Sequence, residues 1–226
     1  MKTIIDQDHY IQHWIHLFYR HVFSAQSNAE ALEFLKTHEA THLMLSAQEL
    51  FQGTNIYSSI GSDAHGDREF KLTPLQMNAY ENGTPFLATV GKDTPFTLID
   101  INHNAGNDTL ITATAKLKNG GTVKIPYTVF IGETRIRPQK LTGVEMGGIL
   151  LMFNEQRQFR GGYYVPPIGW KSLAVRLFFH GESPNVFVPV YPMDGNVTAD
   201  VKVWEIHYPP DIQPNPKYLA TEPENK

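Results

Sequence analysis

Cysteine is missing from all 226 residues, which excludes a disulfide framework, a thiolate metal site and a cysteine nucleophile. Basic clusters are missing as well. With 19 Lys and Arg against 23 Asp and Glu, the formal charge is −4, a balance that argues against nucleic acid or an anionic membrane surface as the main partner. Long apolar runs are also lacking: the longest, Gly147–Phe153, is far short of the roughly 20 residues that span a bilayer. The opening Met1-Lys2-Thr3-Ile4-Ile5-Asp6 has no apolar stretch of the signal-peptide kind. What remains is the composition of a water-soluble globular chain, 41% hydrophobic and 19% charged. That is enough for one large domain or two small ones.

Periodicity orders the elements. From His9 to Arg20 apolar residues recur at three- and four-residue steps, with Tyr10, Trp14, Leu17 and Phe18 on one face, which predicts a helix. Ser27 precedes Ala29–Lys36 as an N-cap, with Glu30 at capping-box spacing. Thr41–Ser46 reads as a buried strand, and Ala47–Phe51 as a short helix. From about Pro85 the character turns to strand, at Phe96–Ile101, Leu110–Leu117, Thr122–Phe130, Ile149–Asn154, Phe159–Val165, Val186–Val190 and Thr198–Tyr208. Asn119-Gly120 between two of these is the strongest hairpin signal, because tight turns demand positive φ. Trp170–His180 reads as a short amphipathic helix. The pattern predicts an α+β fold. Residues 1–84 form a helical and mixed portion, 85–208 a mainly antiparallel β portion, and 209–226 a disordered proline-rich tail.

Three stretches carry a resemblance. Ala29–Lys36 followed by Ala40-Thr41-His42-Leu43-Met44-Leu45 is the first, Asn55–Asp63 with its Ile60-Gly61 pair the second, and Phe187–Tyr191 with Val201–Ile206 the third. In this order they are similar to the extracytoplasmic region that follows the membrane part of oligosaccharyltransferase catalytic subunits. In that family a segment like Thr3-Ile4-Ile5-Asp6 follows a catalytic Trp-Trp-Asp-Tyr-Gly motif. No Trp-Trp-Asp occurs here, since Trp14, Trp170 and Trp204 are isolated.

The resemblance implies a soluble domain at the extracytoplasmic face, supporting acceptor-peptide binding while a membrane half of the same polypeptide transfers a lipid-linked oligosaccharide to asparagine. It implies a divalent cation, Mn or Mg, in the full-length enzyme and none in this chain. The family's acceptor-recognition motif, Asp-x-x-Lys-x-x-x-Met/Ile, has its nearest counterpart in Glu49, Gln52 and Ile56, with Glu for Asp and Gln for Lys. On one helix these would share a face.

Other constellations compete with plainer readings. His9, His13 and His16 share a helix face and have metal-ligand spacing, although apolar neighbours on that face favour packing. Asp63-Ala64-His65-Gly66-Asp67-Arg68-Glu69 offers three carboxylates and an imidazole for a cation or acid–base pair, or else a solvated connection. Asn82, Asn107 and Asn196 begin Asn-x-Thr acceptor patterns. Gly147-Gly148 and Gly161-Gly162 lack phosphate-loop spacing and read as turns. A second functional class is a carbohydrate- or protein-binding module whose exposed Tyr163, Tyr164 and Trp170 stack on sugar rings. A run of transmembrane helices encoded directly upstream of Met1 would favour the first class over the second. With no Trp-Trp-Asp segment, the purified chain is expected to fold and to transfer no glycan to an Asn-x-Thr peptide. Gel-shift of a labelled peptide incubated with lipid-linked donor would refute this by showing product.

Overall fold

The computed structural model describes residues 11–77, 86–90, 95–101, 112–136, 144–156, 158–182, 185–193 and 199–223. In chain order the helices are α1 (Gln12–Phe18), α2 (Asn28–Thr37), α3 (Ala47–Phe51), α4 (Thr54–Ile60), α5 (Pro167–Lys171) and α6 (Leu173–Val175). The strands are β1 (His42–Ser46), β2 (Thr73–Met77), β3 (Phe86–Val90), β4 (Phe96–Ile101), β5 (Thr112–Leu117), β6 (Thr122–Ile131), β7 (Thr134–Ile136), β8 (Gly148–Phe153), β9 (Phe159–Val165), β10 (Phe187–Tyr191) and β11 (Val201–Ile206). Two π-helical turns, Tyr19–Phe23 and Arg176–His180, continue α1 and α6. The fold is α+β, with helices and a short strand first and an antiparallel-rich sheet after. Among the described residues no helix is long and apolar enough to cross a membrane.

The chain divides into two compact units whose borders differ from the expected ones. Residues 71–170 form one unit, and residues 1–70 with 171–226 form the other. The composition change near Pro85 marks strands already inside the insert, and β10 and β11 belong with the helices. Expectations of a boundary at 84/85 and of one β portion from 85 to 208 are corrected accordingly.

In the helical unit, α2 starts where Ser27 Oγ accepts from Glu30 N at 3.2 Å. It buries Ala31, Leu32, Phe34 and Leu35, positions three and four apart on one stripe. It stops in a Schellman turn, in which Ala40 N–H donates to Leu35 O and Glu39 N–H to Lys36 O. Glu39 occupies the left-handed position there at φ 56°. β1, β11 and β10 form a three-stranded antiparallel sheet in that spatial order, with Leu43 opposite Trp204 and Leu45 opposite Lys202. The alternation read from the sequence holds, since Lys202, Trp204 and Ile206 are the buried face of β11. Lys202 reaches Phe178 O at 2.8 Å and sits 4.4 Å above the Phe178 ring, so its charge meets a carbonyl and a π-face. The segment after Trp170 is buried around its circumference and not amphipathic: Leu173, Ala174, Val175, Leu177, Phe178 and Phe179 are all enclosed.

The expected disordered tail is ordered through residue 223. Its prolines remove donors, and side chains of the helical unit take carbonyls of the residues between and after them. Lys36 Nζ donates to Ile212 O (2.6 Å), Trp14 Nε1 to Ala220 O (3.0 Å), and His38 Nε2 to Tyr218 O (3.1 Å). Ile212 is buried, and the Tyr218 ring lies 5.5 Å from Phe34 and 4.8 Å from His21.

In the inserted unit the sheet runs β5-β4-β3-β2-β9-β8-β6-β7, and β5 also pairs with β6, so the ladder returns on itself. Its core is alternate residues of neighbouring strands: Ala113 and Ala115; Ile125, Tyr127 and Val129; Ile149, Leu151 and Phe153. Among the described residues only β6 and β8 run parallel. Trp170 is fully buried and lies against Gly148, where an added Cβ would come within 2.6 Å of the indole.

Lys118-Asn119-Gly120 joins β5 and β6. Gly120 N–H donates to Leu117 O, Leu117 N–H to Gly121 O, and Gly120 alone takes positive φ, 90°. This is a three-residue loop with a left-handed glycine, not a two-residue Asn-Gly turn. Nothing lies within 4 Å of a Cβ at Gly120, so Gly120→Val is a purely backbone perturbation. It should cost about 1–3 kcal/mol, with Gly120→Asn milder, as read by urea melts. Equal midpoints for wild type and Gly120→Val would refute the left-handed assignment.

Candidate functional site

The polar groups of the helical unit gather where the π-helical turn after α1 meets α2, α4 and the loop 63–69. The 63–69 loop is held from within and from outside. Asp63 Oδ1 accepts from His65 N–H, and Asp67 Oδ1 from Asp63 N–H. Arg20 donates to both Asp67 oxygens at 2.9 and 2.8 Å. This bidentate bond, joined by Asp63 N–H and the nearby arginine charges and opposed by burial, holds the Asp67 carboxyl well below the usual carboxylate range. Ser59 Oγ donates to Glu69 at 2.8 Å. Each of the loop's carboxylates thus accepts from protein donors. The loop's partner from outside is Arg20, which lies on the π-turn.

A more enclosed triad adjoins it. Arg68 Nη2 lies 3.0 Å from Glu30 Oε1, and His21 Nδ1 lies 3.2 Å from the same oxygen, with all three side chains 17–18% exposed. Burial pushes the Glu30 pKa up. Bonds from His21 and Gln26 N–H, with the Arg68 charge, outweigh it, and the net shift is downward. So Glu30 leaves the reciprocal bond of a capping box unmade and serves the triad.

Close approach sets the geometry. A Cβ on Gly61 would lie 2.5–2.7 Å from the Tyr19 and Arg20 backbone, so glycine lets α4 end directly on the π-turn. Arg20 Nη1 donates to Gly61 O at 3.1 Å, and His16 Nδ1 to Ile60 O at 2.6 Å. These basic groups satisfy the last carbonyls of α4. The Ile60-Gly61 pair noted in the sequence therefore has a packing reason.

Glu49, Gln52 and Ile56 do not lie on one helix. Glu49 belongs to α3, Gln52 is its C-cap, Gly53 opens α4, and Ile56 follows within α4. Glu49 closes a capping box, with its carboxylate accepting from Ser46 N–H (2.7 Å) and Ser46 Oγ (2.8 Å) while Ser46 Oγ accepts from Glu49 N–H. The signal Ser46-x-x-Glu49 was present in the sequence. Burial, then the charge of Glu49 and contact with Tyr57, raises the Tyr19 pKa. Gln52 is exposed, and Ile56 is 57% exposed.

His13 and His16 stack with centroids 6.1 Å apart. Burial and then the His16 charge lower the His13 pKa. His9, Asn82, Asn107 and Asn196 lie outside the described residues. Among the described residues no three His, Asp or Glu converge as a metal cluster. The proposed sugar platform is corrected: Trp170 is fully buried against Gly148, and Tyr164 is buried with its hydroxyl donating to Met146 O at 3.0 Å and its pKa pushed up to about 12. Only Tyr163 of the three is partly exposed. Arg20, His21, Glu30 and Arg68 were not singled out as a group, because both arginines find their partners far along the chain: Arg20 and Asp67 stand 47 residues apart, and Arg68 and Glu30 38.

No family model and no curated protein matches the chain. Among solved structures it is similar to the C-terminal domain of C. jejuni PglB, at 10% identity and a TM-score of 0.46, over 92% of this chain and 87% of that one.

A carboxyl depressed in the fold stabilises above its unfolded pKa, near 3.9, and loses that contribution as pH falls toward the folded value. Asp67→Asn should therefore lower the melting midpoint near neutrality by the equivalent of about 1 kcal/mol or less, because the pair is largely solvated. The gap to wild type should close below about pH 4. A gap that persists unchanged into strong acid would count against the Arg20–Asp67 bond as its source.

Proposed function

We propose that this chain is the extracytoplasmic soluble part of an oligosaccharyltransferase catalytic subunit. It supports the acceptor peptide while a membrane half of the same polypeptide transfers a lipid-linked oligosaccharide to asparagine. The observation that carries the reading is where the resembling stretches lie. The phrase His42-Leu43-Met44-Leu45 from one end and the strands Phe187–Tyr191 and Val201–Ile206 from the other form one sheet, β1-β11-β10. The middle phrase, Ile60-Gly61, ends α4 of the same unit. Stretches chosen for their similarity alone are thus parts of one compact body. In this reading the divalent cation, Mn or Mg, belongs to the membrane half.

Acceptor contact falls to the α3–α4 corner. Gln52 presents an amide able to bond a threonine hydroxyl, and Ile56 an exposed side chain for its methyl group. Glu49 acts by starting α3 through its capping box and so sets the corner. In the full-length enzyme, Gln52→Ala and Ile56→Ala should raise peptide KM by the equivalent of about 1–2 kcal/mol, with the Ile56 effect larger for Thr than for Ser acceptors. Glu49→Ala should lower thermal stability first. Unchanged KM for both peptides, with circular dichroism preserved, would remove this corner from recognition.

A further inference from the structure

On α1, one turn before the Arg20 network, stand two imidazoles that the ion pairs do not use. His13 and His16 are three residues apart, partly exposed, with rings within 15° of parallel and centroids 6.1 Å apart. His16 is fixed: its Nδ1 lies 2.6 Å from Ile60 O. A carbonyl oxygen only accepts, so Nδ1 carries the proton and the Nε2 lone pair faces away from α4. A ring N–H anchored on a backbone carbonyl, with the opposite nitrogen left bare, is the arrangement that orients histidine ligands in metal sites. Arg20, four residues after His16, is compensated by Asp67 and does not oppose a cation with an unpaired charge.

We propose that His13 and His16 form a two-imidazole site for a late first-row divalent cation such as Zn2+ or Ni2+, with water completing the coordination. Nitrogen donors select these ions over Mg2+ and Ca2+, which take oxygen. The site differs in donor chemistry from the Mn or Mg expected of a full-length transferase. With His16 held by Ile60 O, rotation of the His13 side chain is what brings its Nε2 to the ion that His16 Nε2 ligates, at the usual distance of about 2.0–2.1 Å.

The test is titration calorimetry of the tag-free chain with ZnCl2 and NiCl2, and with MgCl2 in parallel. Saturable heat is expected for Zn2+ and Ni2+ and none for Mg2+. His13→Ala and His16→Asn should each weaken binding about tenfold or more, whereas His42→Ala, on β1, should leave it unchanged. Asn is chosen at 16 because its Nδ2 occupies the place of the imidazole Nδ1. The bond to Ile60 O survives, and only the Nε2 ligand is lost. Zn2+ should also raise the melting midpoint of wild type but not of His16→Asn. Absence of saturable Zn2+ and Ni2+ binding to wild type, or wild-type affinity in either His13→Ala or His16→Asn, overturns the site.

Discussion

The helical unit depends on one ladder, the antiparallel pairing of β1 with β11, whose residues stand roughly 160 positions apart. Everything around it assumes that the two ends of the chain have met. Leu43 and Leu45 are covered from the C-terminal side, Lys202 reaches the π-turn carbonyl at Phe178, and the tail lies where α1 and α2 can bind its carbonyls. Closing so long a loop costs about 4–5 kcal/mol in chain entropy if the intervening residues are unstructured. They are not. β2 enters the insert and β9 leads out of it, and the two pair, with Thr73 opposite Tyr164. The insert's own ladder therefore performs most of that closure, which is why a hundred-residue excursion is tolerated between Phe70 and Lys171.

Around this frame the helical unit resolves its polar groups by reach. Backbone carbonyls that no ladder can take, at the end of α4 and along the tail, are taken by His16, Arg20, Lys36, His38 and Trp14. Carboxylates are shared between arginines and backbone N–H groups, and the most enclosed of them, Glu30, collects three donors. The outcome is a set of long-range bonds from short helices that would be marginal alone.

Much of this was legible residue by residue. Ser27 as a cap, the strand His42–Ser46, the alternation of Val201–Ile206 and both arms of the β5–β6 hairpin follow from local periodicity and side-chain chemistry. What was not legible is tertiary. The positive φ expected at Asn119-Gly120 is there, at Gly120, but the loop is one residue longer than a two-residue turn. The tail read as disordered because proline content reports missing donors, and nothing local reports that distant side chains will supply them. Glu49 read as a binding carboxylate, and its place three residues after Ser46 was the stronger signal. Gly53, a poor residue inside a helix, stands between Gln52 and Ile56, and the structure breaks there. Tyr164 and Trp170 read as a platform because aromatic residues beside glycines look exposed in sequence. In the fold the glycine at 148 is the seat into which Trp170 fits.

The insert also puts the two halves of the helical unit on different clocks during synthesis. A ribosome adding about 5–20 residues per second releases β1 on the order of ten seconds before β11 exists. Over that interval the inserted unit, contiguous from 71 to 170, has all its strands available and can complete itself. The first 70 residues must wait with both edges of β1 unpaired and with Leu43 and Leu45 uncovered. Nascent chains arrested between residues 170 and 200 should thus carry a finished β unit beside an open helical one, and that window is where a chaperone would find its substrate.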